Sequence, residues 1–241
     1  MMLAYALYLF SKQIRTKFVV FKAKLSLSMM QRQFSIGYPQ SISEIALNLA
    51  FVTFYTIMGI IGTTELVATQ VVFAIAHASF LPAVGVGQAC ATLVGKYLGK
   101  KNIDKASQAM IEGLRGSFMI MGSMGLIFIF LPSYILPIFT DDIEVITLGV
   151  KILPFVGALQ LFDALAITLW FALSGAGDTK FTAYLGIIAS WGVFVPLSYL
   201  LGIYLGYGLM GPWIAFGAYL LLEVVLIIFR VQQGKWKHIE V

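Results

Sequence analysis

Three acidic residues stand where the surrounding sequence is almost entirely apolar. Asp163 falls in the run from Ile146 to Leu173, Glu44 in the run from Ile36 to Ile61, and Glu223 midway between Leu209 and Phe229. A charge at the centre of a membrane span costs about 2.5–3.5 kcal/mol on insertion scales, so such residues usually serve function or find a partner. No Lys or Arg of its own run shares a helical face with Asp163; Lys151 is about three turns away. Gln160, Trp170 and Ser174 fall at −3, +7 and +11 from Asp163, one polar and aromatic stripe that suits a cation or a proton. Glu44 and Asn48 are i, i+4 neighbours whose side chains can converge on one ligand, with Tyr55 near the same face. Acid, amide and hydroxyl oxygens suit a hard cation such as Na+. Glu223, among Leu, Val and Tyr neighbours, ranks behind these two acids.

A second stripe joins His77 to Gln70 and Gln88. A lone histidine in an apolar helix is more often a packing residue than a relay. Tyr55, Gln70, His77, Gln160 and Trp170 are the candidates for lining a substrate cavity. No Walker motif, paired Cys/His cluster or nucleophile elbow appears, so neither an ATP-driven pump nor an enzyme is expected. No metal is expected beyond Na+ at Asp163, and no cofactor beyond the coupling ion. The single cysteine, Cys90, cannot form an internal disulfide and reads as a small core residue.

These side chains need elements to hold them at membrane depth. Hydrophobic residues make up 60% of the chain and charged residues 11%, against about 25% charged in a soluble domain. Long unbroken apolar runs, rather than short alternating ones, mean helices and not a barrel. The expected fold is all-α and integral to the membrane, a bundle of six helices. The spans read as 36–61, 66–94, 116–139, 146–173, 181–205 and 209–229. The bundle then occupies 36–230, after an apolar stub at 2–10 and a basic loop within 1–35, and before a tail at 231–241.

Spans alternate, so the loops fall into two sets. Residues 11–35, 95–115, 175–180 and the tail carry every Lys and Arg except Lys151, whereas the opposite loops carry Glu65, Asp141, Asp142 and Glu144. The basic side is expected to be cytoplasmic, in the cell (inner) membrane. The net charge of +5 is therefore a topology signal and not a nucleic-acid patch. The stub at 2–10 resembles the last turns of a preceding helix, so the chain looks like a piece of something longer. Pro82, Pro132, Pro137, Pro154 and Pro196 fall inside the expected spans and suggest kinked, mobile helices.

Two stretches carry a family resemblance. One runs Pro82-Ala-Val-Gly85-Val-Gly87-Gln-Ala-Cys90-Ala-Thr-Leu93-Val94-Gly95 and on through Leu98-Gly99 to Ala106; the other is Leu173-Ser174-Gly175-Ala176-Gly177-Asp178-Thr179-Lys180. Both resemble the MATE family of multidrug and toxic compound extrusion transporters, around its eighth and tenth helices. Gly37-Tyr38-Pro39 resembles the start of its seventh. The resemblance implies the C-terminal six-helix lobe of a two-lobe transporter, with an N-terminal lobe as its missing partner. It implies antiport: small-molecule organic cations leave as Na+ or H+ enters. Asp163 matches the position of the family's helix-ten acid. The helix-seven acid position falls on Leu47, and Glu44, one turn earlier on nearly the same face, is the candidate substitute. The other readings are a lipid or polysaccharide flippase of the same superfamily, disfavoured by the acidic midplane, and an inactive fragment of a split transporter. Membrane lipid is a partner in every case.

Overall fold

The computed structural model describes residues 26–238. The stub at 2–10 and most of the first basic loop lie outside them, as do the last three residues of the tail. Among the described residues, six helices are long and apolar enough to cross a membrane: α1 (Leu27–Ile61), α2 (Thr63–Gly99), α3 (Ile103–Phe130), α4 (Ile143–Gly175), α5 (Thr179–Tyr204) and α6 (Met210–Gln232). No strand occurs among the described residues. The chain divides into two units between Ser35 and Ile36, and the candidate site lies wholly in the second.

Helix α4 is the centre of that unit, packed against α2, α3 and α6. The packing is close because small residues face one another where helices cross. A methyl group on Gly157 of α4 would lie 2.7 Å from the carbonyl oxygen of Gly125 on α3. One on Gly175 would lie 2.6 Å from the Cα of Ala91 on α2. Without water-driven association between helices in lipid, such approaches supply van der Waals contact in its place. Across α3 and α4, the Thr168 hydroxyl donates to the Ser117 hydroxyl at 2.7 Å, both buried.

The third span differs from the sequence expectation of 116–139. The helix begins at Ile103 and ends at Phe130. Its first turns are polar, which disguised them, but Ala106, Ala109 and Met110 turn inward and hold them in the bundle. Asn102 caps the helix by accepting from the Lys105 amide at 3.0 Å. Pro132 and Pro137 therefore kink no span. They sit in the short helical turns Pro132–Ile135 and Leu136–Ile138, where a proline at the first positions loses no helical bond. Pro82, Pro154 and Pro39 do lie inside helices. In α5, wide helical turns at Ser190–Phe194 and Leu200–Tyr204 flank Pro196, which is how the helix absorbs the missing donor.

The motif Gly175-Ala176-Gly177-Asp178-Thr179-Lys180 has a structural explanation. Gly177 takes a left-handed φ of 88°, and the Asp178 and Gly177 amides return to the Leu173 and Ser174 carbonyls at 2.9 and 3.0 Å. This pairing ends α4 and needs glycine at the left-handed position. Asp178 then accepts two bonds from Arg230 of α6, from Nε at 2.7 Å and Nη2 at 3.0 Å. The guanidinium also lies 4.9 Å from the centre of the Phe181 ring. This clamp joins the α4–α5 turn to the end of α6. Arg230→Leu would strand a buried carboxylate and is expected to cost about 3 kcal/mol, whereas Asp178→Asn combined with Arg230→Leu should cost less than half of that. Thermal unfolding of both variants in mild detergent checks the ordering.

Candidate functional site

Helices α4 and α6 cross the membrane in the same sense, being separated by one span. They touch where Gly217 of α6 leaves room for the Phe155 ring of α4, 3.1 Å from where a methyl would be, and for Leu159 at 3.6 Å. About one turn beyond Leu159 on α4 comes Asp163, and fewer than two turns beyond Gly217 on α6 comes Glu223. Tyr219 stands one turn before Glu223 on the same helix. Glu223 is 6% exposed, Tyr219 is 5% exposed and Asp163 is partly buried.

An aromatic layer closes one end of this group. Phe194 of α5 lies 5.4 Å from the Tyr219 ring, and Phe54 of α1 lies 5.1 Å from Phe194. Phe73 of α2 stacks on Trp213 of α6 at 4.9 Å. Leu47, at the family's helix-seven acid position, packs against the same cluster.

The other residues expected from the sequence separate into two sets. Buried in the bundle, Gln160 accepts from the Ser79 hydroxyl of α2 at 3.1 Å, which ties the Asp163 helix to its neighbour. Trp170 is partly buried, and its ring meets Gly186 of α5, where Ser43 of α1 also arrives. Tyr55 is partly buried in the aromatic layer, 5.9 Å from Phe73. The Ser174 hydroxyl is buried with no hydrogen-bond partner among the described residues. Cys90 is buried, with its thiol 3.6 Å from the Ala109 carbonyl.

The second set is exposed. Glu44 and Asn48 lie on an open face of α1, and the Asn48 amide nitrogen is given to the Glu44 main-chain carbonyl at 2.8 Å. Gln70, His77 and Gln88 are exposed on α2. The His77 Nδ1 lies 2.8 Å from the Phe73 carbonyl, which accepts only, so the proton is on Nδ1. The acid on the helix that packs against that of Asp163 is Glu223, which sequence reading ranks low, and Tyr219 is absent from that reading. The available signal was their i, i+4 spacing on an apolar helix. Among the described residues, no three His, Cys, Asp or Glu side chains converge as metal ligands. Two carboxylates and a phenol hydroxyl are hard oxygen donors, a set that fits one small monovalent cation or a proton.

Comparison with known proteins gives a consistent result. The family profile described as MatE matches residues 39–200. "Probable multidrug resistance protein NorM" of Thermotoga maritima is 27% identical over 202 residues, 84% of this chain and 44% of its own length. "Multidrug and toxin extrusion protein 2" of Oryctolagus cuniculus is 29% identical over 185 residues, 75% of this chain and 30% of its own. Among solved structures, the eukaryotic MATE transporter AtDTX14 overlaps 96% of the chain and 52% of its own, with a TM-score of 0.82 at 21% identity. A MATE crystal structure in the straight conformation overlaps 90% of the chain and 49% of its own, with a TM-score of 0.81 at 17% identity. The chain thus spans about half the length of these structures and less than half that of these two curated relatives.

The Ser79–Gln160 bond supports this region. Ser79→Ala leaves the buried Gln160 amide oxygen without that donor and should cost about 1–3 kcal/mol. A lower midpoint in thermal unfolding, with Ser79→Thr close to wild type, is the expected pattern.

Proposed function

Since the chain belongs to the MatE family, whose members are transporters and not enzymes, we propose that it is one lobe of a cation-coupled exporter of organic cations. The observation that carries this reading is the placing of Asp163, partly buried, and of Glu223 and Tyr219, both buried, on two helices that pack together inside a membrane-spanning bundle. Two acids with no basic partner at that depth call for a positive charge from outside the protein. The coupling ion, Na+ or H+, supplies it.

In this mechanism Asp163 takes the ion and Glu223 shares it. Tyr219 holds the Glu223 carboxylate in place through its hydroxyl. Na+ and H+ compete for the same oxygens. An ion bound between α4 and α6 favours one packing of the two helices, and its release favours another. Pro154 and Pro82 mark where α4 and α2 can bend in response. The exposed polar side chains of α1 and α2, Glu44, Asn48, Gln70 and His77, supply one wall of the substrate cleft. A second six-helix lobe supplies the other, and the path of an organic cation runs between them. The acidic polarity of these groups favours a cationic cargo over the anionic head groups of a flippase. The basic loops and the C-terminal tail lie on the cytoplasmic side of the cell membrane.

Ethidium efflux from vesicles holding the assembled transporter, under imposed Na+ or pH gradients, tests the reading. Wild type should export ethidium under one of the two gradients, which names the ion. Asp163→Asn should lower that gradient-driven rate at least about tenfold, the effect of losing one contact to a charged group. Undiminished efflux in Asp163→Asn contradicts the proposal.

A further inference from the structure

We propose that Trp170 is the inner gate of the coupling ion: its indole closes a polar seam between α1, α4 and α5 that leads from Asp163 to the cytoplasmic end of the bundle. The inference rests on the exporter reading and on its sidedness. Asp163, Trp170 and Ser174 share one face of α4, with Trp170 seven residues and Ser174 eleven residues beyond the acid. The rise from Asp163 to Ser174 is about 16 Å. Trp170 is the bulkiest side chain of that face between them.

Three helices close on that ring at one level. A methyl on Gly186 of α5 would lie 2.8 Å from Cη2 of the Trp170 ring and 2.6 Å from the Ser43 hydroxyl oxygen of α1. The approach is possible because residue 186 has no side chain. Ser43 is buried at 4% exposure and Gly186 is buried, so the contact is shut. One turn nearer the cytoplasmic end the character changes. Gln40 precedes Ser43 on α1, and Ser174 follows Trp170 on α4. The Gln40 amide oxygen and the Ser174 hydroxyl are both buried without a hydrogen-bond partner among the described residues. An oxygen left so costs about 1–3 kcal/mol, and water entering from the loop side removes that cost. Beyond the ring on the other side stands Asp163, an acid with no Lys or Arg paired to it among the described residues. The indole therefore divides an end that calls for water from the carboxylate that takes the ion. A change of its rotamer joins the two. The ion then leaves between α1, α4 and α5, apart from the cleft wall on the exposed faces of α1 and α2 that the cargo follows.

Cysteine accessibility in inside-out membrane vesicles holding the intact protein tests the gate. Cys90 is first replaced by alanine, and a cationic, membrane-impermeant methanethiosulfonate is added to the outside. Ser174→Cys should be labelled whatever stands at position 170. Asp163→Cys should be labelled only when Trp170→Ala is also present. Trp170→Phe, which keeps a ring there, should protect it as the indole does. An unreactive Ser174→Cys overturns the proposal, since the end below the ring would then be dry. Labelling of Asp163→Cys that is as fast with Trp170 in place as with Trp170→Ala overturns it too, since the reagent would then arrive by the cleft. So does an Asp163→Cys that stays unlabelled with Trp170→Ala. If Trp170→Ala fails to fold, Trp170→Leu, apolar but shorter than the indole, must give the same change. The labelling needs neither cargo nor gradient, so it decides the gate whether or not ethidium is exported.

Discussion

Water is absent at membrane depth, and most of what this bundle does with its polar groups follows from that. A hydroxyl or amide in the middle of a helix must bond inside the protein or remain costly. Ser79 meets Gln160, Thr168 meets Ser117, and Trp191 reaches across from α5 to the Ala46 carbonyl of α1 at 2.9 Å. Many hydroxyls fold back on their own helix, as Thr53, Thr56, Ser190 and Ser198 do. Against that background Asp163 and Glu223 are the exceptions. Among the described residues, no Lys or Arg pairs with either.

The same constraint explains why the apparent signature in the sequence is not the chemistry. Gly175-Ala176-Gly177-Asp178 looks like a functional loop. In the structure it ends α4 in a left-handed turn, lets α4 press on α2, and offers a carboxylate to Arg230. Likewise Gly87 exists to admit the Phe171 ring, 2.5 Å from where a methyl would be. These residues are signs of one way of packing helices. The ion chemistry that we propose lies elsewhere in the bundle.

How much was legible in the sequence depends on the range of the interaction. Helix number, sidedness of charge and the anomaly of Asp163 are local features, visible in runs of twenty or so residues. The start of α3 was not visible, because an amphipathic turn such as Ile103–Gly113 falls below any apolar threshold until its inward face is known. Glu223 was underrated for a different reason. It lies on a different helix from Asp163, and what relates the two helices is the crossing at Gly217, which no spacing rule displays. The stripe of Gln70, His77 and Gln88 was correctly periodic, yet periodicity alone does not say which way a face points, and the structure leaves it exposed.

The central claim is that Asp163 and Glu223 form the cation-responsive group of the bundle. Dicyclohexylcarbodiimide, an apolar reagent that attacks protonated carboxyl groups shielded from water, tests it most directly when labelling in the native membrane is followed by peptide mass mapping. The account predicts label on Asp163 or Glu223, suppressed either by Na+ or by raising the pH. Label confined to other acids, or label on these two that neither cation conditions nor pH alters, would contradict it.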